Sequence, residues 1–244
     1  MSNFWAWGEA ASLGEEPLEI PIPKNTNEFA LDVSTGSSYT LYIGADGVAR
    51  AGGIIQDLNN YRGHLGLPDT DVTQGVNEAR PILEIDDLDR VLVRAPKFRN
   101  VTAGVESSTG SGLMHSIFID DDGKAYAAGN NNKGQLCLND IESRFIPTQI
   151  VLPDNEVVKS AVVGGEFTLI LTSSGNLFGC GSNEEGQLGL GETVIETTDA
   201  TFEDNFIMSD VLSISAGQKF ALVRPSDGLF GMGDNTFGEL QSCA

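Results

Sequence analysis

Three stretches of this sequence repeat one pattern: GNNNKGQL at residues 129–136, GSNEEGQL at 181–188 and GDNTFGEL at 233–240. Each reads G-x4-G-[QE]-L, and successive copies begin 52 residues apart. Self-similarity at a fixed period of this size is typical of repeat architectures, in which each copy forms one small structural unit. The chain is therefore predicted to consist of similar modules placed side by side.

A second element recurs upstream of these stretches. It begins with glycine, has an aromatic residue or histidine three positions later, continues with an apolar run, and ends at a second glycine 11 positions from the first. The copies are Gly36–Gly47, Gly112–Gly123, Gly164–Gly175 and Gly217–Gly228. Asp or Ser precedes each closing glycine, which predicts a tight hairpin turn with the glycine at positive φ.

The apolar runs have the length of strands. They are short, rich in Val, Ile, Leu and Phe, and separated by turn residues, with no sustained helical period. Each unit carries about four runs, which predicts a small four-stranded antiparallel sheet. Such a sheet cannot cover both of its faces alone, so the sheets must stack, radially as a β-propeller or linearly as a solenoid.

These motifs resemble a known repeat family. GNNNKGQLCL, GSNEEGQLGLG and GGEFTLILTSSGNLFGCG are similar to the repeats of the regulator of chromosome condensation family, as are His115 and the pair Trp7-Gly8. The resemblance extends from about Phe4 to Leu240 and implies a β-propeller. Members of this family are typically seven-bladed, with units of about fifty residues or more.

The chain is too short for seven such units. It has four hairpin elements but five strands that end in the W-G type of glycine, namely Gly8, Gly53, Gly129, Gly181 and Gly233. We therefore predict an all-β propeller of four full four-stranded units plus one extra N-terminal strand, as a small ring or an open arc. Residues 1–244 form a single repeat domain with units at roughly 17–53, 81–129, 147–181 and 201–233. In an open arc, a protein partner or a symmetry mate is expected to cover the exposed sheets.

Two insertions interrupt the repeat, at residues 54–79 and 105–112. Insertions in repeat proteins map to loops and often bind partners, although they are also tolerated as plain surface loops. The longer one contains a degenerate copy of the loop motif, Gly63-His64-Leu65-Gly66. The predicted partner-binding residues are Trp5, Trp7, Asp57, Asn59, Tyr61, Arg62, His64, Asp69 and Asp71.

Charge and composition exclude several functions. The formal net charge of −21 argues against a basic face that binds nucleic acid. No apolar segment is long enough to insert into a membrane, and the start MSNFWAWGEA does not resemble a secretion signal. Cys137, Cys180 and Cys243 are odd in number and widely spaced, which predicts no disulfide framework and a cytoplasmic or particle-assembled protein. Cys180 is predicted to be a small buried hydrophobe.

Catalytic chemistry has little support in the sequence. Both histidines, His64 and His115, occupy repeat positions, so a structural role explains them. The run Asp120–Gly123 fits a hairpin turn better than a calcium loop because the ligands that such a loop needs do not follow it. We predict no catalytic residues, no metal site and no cofactor.

Three functions compete. The favoured one is a non-enzymatic protein-protein interaction or structural module that docks into a larger assembly, a virion or tail component being one specific version. The alternative, implied by the family resemblance, is guanine-nucleotide exchange on a small GTPase. The third is a light sensor or an inhibitor, both known from relatives. Light sensing requires a tryptophan cluster across several blades, whereas only Trp5 and Trp7 are present. A secreted enzyme inhibitor would need a signal peptide, unless the chain is a processed form.

Overall fold

The computed structural model describes residues 5–6, 18–19, 30–37, 39–53, 63, 65–66, 76–81, 96–105, 114–191 and 205–240. Apart from one 3-10 turn at Pro153–Asn155, their regular structure is entirely β. The strands are β1 (Trp5–Ala6), β2 (Leu18–Glu19), β3 (Ala30–Thr35), β4 (Tyr39–Gly44), β5 (Ala49–Gly53), β6 (Val76–Pro81), β7 (Phe98–Ala103), β8 (His115–Asp120), β9 (Ala125–Gly129), β10 (Arg144–Ile150), β11 (Val158–Val163), β12 (Phe167–Thr172), β13 (Leu177–Gly181), β14 (Phe206–Met208), β15 (Val211–Ala216), β16 (Phe220–Pro225) and β17 (Phe230–Gly233).

These strands form antiparallel sheets of chain neighbours. The first sheet is β3–β6, the second β7–β10, the third β11–β14 and the last β15–β17, and β1 pairs with β2 as a separate N-terminal pair. The all-β class and the stacked small sheets predicted from the repeats are confirmed. No helix in the described part of the chain is long and apolar enough to cross a membrane.

The sheets are one strand out of phase with the sequence units. β10, which overlaps the start of the predicted unit 147–181, closes the second sheet by pairing with β9, and β14, near the start of the predicted unit 201–233, closes the third. In the same way β1 pairs with β2, so the extra N-terminal strand has a partner. The last sheet consequently has three strands, instead of the predicted four, in the part of the chain that the structure describes.

The hairpin turns are confirmed at three of the four predicted glycines. Gly47, Gly123 and Gly175 have φ values of 78°, 78° and 87°, where glycine is favoured because it lacks a Cβ. The exception is Gly228, whose φ is not positive. The prediction is wrong there because the stretch from Phe220 to Gly233 is one residue shorter than its counterpart from Phe167 to Gly181.

The described residues form three buried apolar clusters, each between two neighbouring sheets. The first joins the first and second sheets, the next joins the second and third, and the third joins the third and last. No cluster among the described residues joins the last sheet to the first. Of the two architectures that the sequence leaves open, the described part of the chain forms the open arc.

One prediction about the cysteines is wrong. Cys137, at the end of the second sheet's loop, and Cys180, in β13, form a disulfide although they are 43 residues apart in sequence. Their Cα atoms are 5.5 Å apart because stacking places the two sheets side by side. Cys180 is buried as predicted. The disulfide removes the argument for a reducing compartment. Cys243 lies outside the described residues.

Candidate functional site at the loop edge of the sheets

The repeat places its loops at two opposite edges of the sheets. Within a sheet the first strand runs towards one edge and the second runs back, so the hairpin turns lie at what we call the lower edge. The upper edge carries the loops 130–136, 182–188 and 234–240 and the connections 164–166 and 217–219. The insertion 105–112 and the part of 54–79 that precedes β6 connect strands at this upper edge.

The three upper-edge loops share one hydrogen-bond pattern. The Asn side-chain oxygen accepts a bond from the Leu backbone N–H five residues later, and the Gln or Glu side-chain oxygen accepts one from two residues earlier. The Asn bonds are Asn131–Leu136, Asn183–Leu188 and Asn235–Leu240, each 2.8 Å. The Gln and Glu bonds are Gln135–Lys133, Gln187–Glu185 and Glu239–Phe237, at 2.8, 2.9 and 2.9 Å. These side chains therefore have a structural role, since they hold the turn of their own loop.

The degenerate loop copy in the longer insertion is also confirmed in its backbone. Gly63 and Gly66 have positive φ, the Gly66 N–H donates to the Gly63 carbonyl at 2.7 Å, and Leu65 is fully buried. This is the turn that Gly186 and Gly189 make in the third sheet. The insertion therefore keeps the repeat's anchor and adds sequence around it at the upper edge.

A shallow acidic cleft opens at the upper edge between the third and last sheets. Its lining residues are Gly165, Glu166, Ser182, Glu184, Glu185, Gln187, Gln218 and Lys219. Glu184 forms an ion pair with Lys133 at 2.9 Å, and Glu185 forms one with Lys219 at 3.1 Å. The hydrogen bond to Glu185 raises the pKa of Lys219. The upper-edge loops and connections defined above contain five carboxylates but only two ammonium groups, so this edge is net negative.

Phe237 stands out on the upper edge. It is 89% exposed at the tip of the last loop, at the position that Lys133 and Glu185 hold in the other two loops. Single exposed apolar side chains are common on protein surfaces, so what marks Phe237 is its departure from the charged residues of the other two loops. Sequence reasoning missed it, although an aromatic residue where the other copies have charged residues was the available signal.

Buried polar pairs connect neighbouring sheets beneath this edge. The Tyr39 hydroxyl lies 2.8 Å from Ser116 Oγ, and His115 Nε2 lies 2.9 Å from Thr168 Oγ1. Burial lowers the pKa of His115 to about 3, so the imidazole is neutral at pH 7. Burial likewise raises the pKa of Tyr39 well above its usual range. Both groups are enclosed between sheets, which supports the structural role predicted for His115.

The aspartate run behaves as a turn. The Asp120 carboxylate accepts hydrogen bonds from the Lys124 N–H at 2.8 Å and the Tyr126 hydroxyl at 3.1 Å, and Asp121 and Asp122 form the turn itself. Within the described residues, no group of three or more His, Cys, Asp or Glu side chains is arranged to hold a metal ion.

The structure describes one of the nine predicted partner-binding residues. Trp5 lies in β1, opposite Glu19 of β2. The other eight lie outside the described residues and stay predictions: Trp7, Asp57, Asn59, Tyr61, Arg62, His64, Asp69 and Asp71.

Stacked antiparallel sheets with buried faces between neighbours and loops at one edge define a repeat protein of the β-propeller class. The family model described as the regulator of chromosome condensation (RCC1) repeat matches residues 122–171 and 174–223, and a second model of that description matches 108–135 and 158–187. The chain therefore carries RCC1 repeats, as its motifs predicted.

Curated relatives share these repeats. The human X-linked retinitis pigmentosa GTPase regulator is 36% identical over 132 residues, which are 53% of this chain and 13% of that protein. Human Protein RCC2 is 35% identical over 145 residues, 57% of this chain and 27% of that protein. The Ultraviolet-B receptor UVR8 of Arabidopsis thaliana is 26% identical over 277 residues, 97% of this chain and 61% of that protein. The chain thus spans less than two thirds of each.

Solved structures agree on the fold. The crystal structure of human WBSCR16 superimposes with a TM-score of 0.67 at 20% identity, covering 96% of this chain and 57% of that one. Yeast RCC1 (Prp20), solved bound to Kap60, superimposes with a TM-score of 0.67 at 19% identity, covering 91% of this chain and 47% of that one. The sheets of this chain are therefore blades of an RCC1-type propeller.

Proposed function

We propose that the chain is a non-enzymatic interaction module whose upper edge docks onto a protein partner carrying basic and apolar side chains. The observation that carries this proposal is Phe237, an 89% exposed aromatic ring at a loop tip of an otherwise acidic edge. The buried imidazole of His115 serves the packing between sheets.

The chemistry of the edge defines the partner. The cleft presents Glu184 and Glu185 to a lysine or arginine side chain, and the ion pairs that these two already make are surface pairs of small energy. The chain's net charge of −21 steers a basic protein towards it and repels nucleic acid. Phe237 supplies the aromatic anchor around which binding energy concentrates.

The relatives support a protein partner. One solved relative, Prp20p of Saccharomyces cerevisiae, is described with its binding to Gsp1p and histones, and matches with a TM-score of 0.64 at 19% identity. Yeast RCC1 (Prp20) was also solved bound to Kap60. These partners are proteins, and histones are strongly basic.

The test compares exposed apolar side chains on the two edges. Tagged wild-type chain, Phe237→Ser and Val151→Ser are used to purify partners from the cells that make the protein, with quantitative mass spectrometry. Val151, 76% exposed beyond β10 at the lower edge, is the matched control. We expect a stoichiometric partner that Phe237→Ser weakens at least tenfold and Val151→Ser leaves unchanged. Equal recovery with all three chains would contradict the proposal.

The longer insertion gives a second test of the same edge. Replacing residues 67–75 with a Gly/Ser linker of equal length should abolish partner binding while leaving the melting temperature nearly unchanged, because β6 and the buried Leu65 stay in place. Binding that survives the replacement would assign the interaction to the loops of the second, third and last sheets alone.

Guanine-nucleotide exchange on a small GTPase is the second candidate, favoured by the 36% identity to a protein named as a GTPase regulator. Accelerated nucleotide release from a panel of small GTPases would establish it, and unchanged release would dismiss it. A place in a virion or tail is supported by none of these relatives and stays a prediction, as does a cytoplasmic or particle location.

A further inference from the structure

Three of the four hairpin turns predicted from the repeat contain the pair Asp-Gly. The pairs are Asp46-Gly47, Asp122-Gly123 and Asp227-Gly228, and all three aspartates are exposed. An Asp-Gly pair can rearrange without an enzyme, because glycine has no side chain to hinder attack by its backbone nitrogen on the aspartate carboxyl group. The three turns therefore carry the same reactive pair, and their geometry decides how fast it reacts.

The glycine nitrogen is held in the turns of the first three sheets. The glycine is the fourth residue of each turn, and its N–H donates to the carbonyl of the turn's first residue. These bonds are Gly47 to Gly44 at 2.9 Å, Gly123 to Asp120 at 3.0 Å and, in the Ser-Gly turn of the third sheet, Gly175 to Thr172 at 3.1 Å. Each bond lies within one hairpin, so it does not depend on what covers the sheet.

The turn of the last sheet lacks this bond. Pro225 is its first residue, but the Gly228 N–H donates neither to the Pro225 carbonyl nor to any other acceptor among the described residues. The hairpin from Phe220 to Gly233 is one residue shorter than its counterparts, and Gly228 does not have the positive φ that closes the other turns. The nitrogen that attacks in this rearrangement is therefore unbonded in the last turn alone.

The aspartate side chains separate the three pairs further. The Asp46 carboxylate accepts a hydrogen bond from the Val48 N–H at 3.0 Å and forms an ion pair with Arg50 at 2.6 Å. The hydrogen bond from Arg50 lowers the pKa of Asp46, and an ionised carboxylate resists attack by a nucleophile. The side chains of Asp122 and Asp227 accept no hydrogen bond from the described residues. Comparing these two aspartates therefore isolates the effect of the glycine N–H.

We propose that Asp227-Gly228 is a site of spontaneous isoaspartate formation, from which the other two Asp-Gly pairs are protected by their turns. The Gly228 nitrogen loses its proton and bonds to Asp227 Cγ, and the carboxyl OH leaves with that proton as water. Water then adds to the main-chain carbonyl carbon of the resulting succinimide and breaks its bond to the nitrogen, so the chain continues through Cγ. One water leaves and one enters, so the mass is unchanged. The site lies at the lower edge and is independent of the docking surface proposed above.

The test ages the full chain at neutral pH and physiological temperature. Proteolysis and mass spectrometry with electron-transfer fragmentation then distinguish isoaspartate from aspartate at each site. We expect isoaspartate to accumulate about tenfold faster at Asp227 than at Asp46 or Asp122, where the glycine N–H must first leave its hydrogen bond. Labelling of the intact chain by a protein isoaspartyl methyltransferase gives a second readout. A rate at Asp227 that does not exceed the other two overturns the proposal.

Two variants confirm the site. Asp227→Glu keeps the charge but cannot close a five-membered ring. Gly228→Ala hinders the nitrogen at little cost to the fold, because its Cβ would lie 3.6 Å from Phe230 Cε2, an ordinary contact. Both should remain folded by circular dichroism and lose most of the methyltransferase labelling. Labelling that persists in both variants would assign the fast site elsewhere and overturn the proposal.

Unfolding the chain separates the effect of the turn from that of the sequence. In guanidinium chloride the turns are lost, so the three Asp-Gly pairs should react at similar rates. A preference for Asp227 that is as large in the unfolded chain as in the folded one would contradict a role of the missing hydrogen bond.

Discussion

The third and last sheets carry the same motif but differ in burial. All six residues of β12 are buried, whereas β16, the corresponding strand of the last sheet, has only three buried residues in alternation. Both strands pack against a preceding sheet, but only β12 also has a following one. Burial in this fold is therefore supplied by the neighbouring sheet, and a repeat's stability depends on its place in the arc.

The largest expected effect comes from truncating the same phenylalanine in the two sheets. Phe167→Ala should lower the free energy of unfolding by about 3–5 kcal/mol because it empties a buried interface. Phe220→Ala should cost only about 1–2 kcal/mol, since the ring is partly in water already. Urea unfolding at protein concentrations too low for association measures both. Equal losses would mean that the two sheets are equally covered.

The disulfide tests the coupling between the second and third sheets. Breaking Cys137–Cys180, which are 43 residues apart, should lower the free energy of unfolding by about 4 kcal/mol or less through the entropy of the unfolded chain. Unfolding midpoints measured with and without reductant give the size of this effect. The Cys243→Ser variant should show the same difference between the two midpoints as the wild type. A midpoint that does not respond to reductant would contradict the link.

The polar pair His115–Thr168 can be converted into the apolar type found at the next interface. Thr168→Ala alone should cost about 1–3 kcal/mol because it leaves the buried imidazole without its partner. Adding His115→Phe rebuilds a Phe–Ala pair like Phe167–Ala221. The double variant should therefore lose less stability than the sum of the single changes, by about 0.5–3 kcal/mol in a double-mutant cycle. Additive losses would show that the two sites do not interact.

The same pair predicts the smallest effect, a pH dependence. Burial lowers the pKa of His115 from 6.5 to about 3, so below pH 6.5 the unfolded chain binds a proton that the folded chain does not. The contribution of neutral His115 to the free energy of unfolding is thus fully present above pH 6.5. It is lost as the pH falls towards 3, by at most about 1.4 kcal/mol per pH unit. Comparing wild type with His115→Phe, Thr168→Ala between pH 7 and 5 isolates this contribution. If the free energy of unfolding depended on pH in the same way in both proteins, the imidazole of His115 would be exposed to water rather than buried.

Local patterns made much of the fold predictable. The loop hydrogen bonds of Asn131, Asn183 and Asn235 and the turns at Gly47, Gly123 and Gly175 involve residues close in sequence, so spacing alone fixes them. The boundaries between successive sheets could not be predicted in this way. An outer strand such as β10 can be read with the unit before or after it, and only pairing with β9 decides.

Features that depend on stacking were missed. Cys137 and Cys180 meet only because two sheets lie side by side, and no spacing rule encodes that contact. The candidate site shows the same division. The repeat placed the upper-edge loops, but the cleft between Glu185 and Lys219 joins residues from different sheets. The sequence alone shows that Phe237 differs from the charged residues of the other copies. Its exposure, however, depends on the loop geometry that turns the tip outward.

Hydrogen exchange followed by mass spectrometry tests the central claim most directly, namely that successive sheets cover one another and the last one stays open. At a concentration where the chain is monomeric, the amides of β12 and β13 should exchange at least about tenfold more slowly than those of β16 and β17, because a sheet covered on both faces opens less often. Equal protection of the two hairpins in the monomer would contradict the open arc.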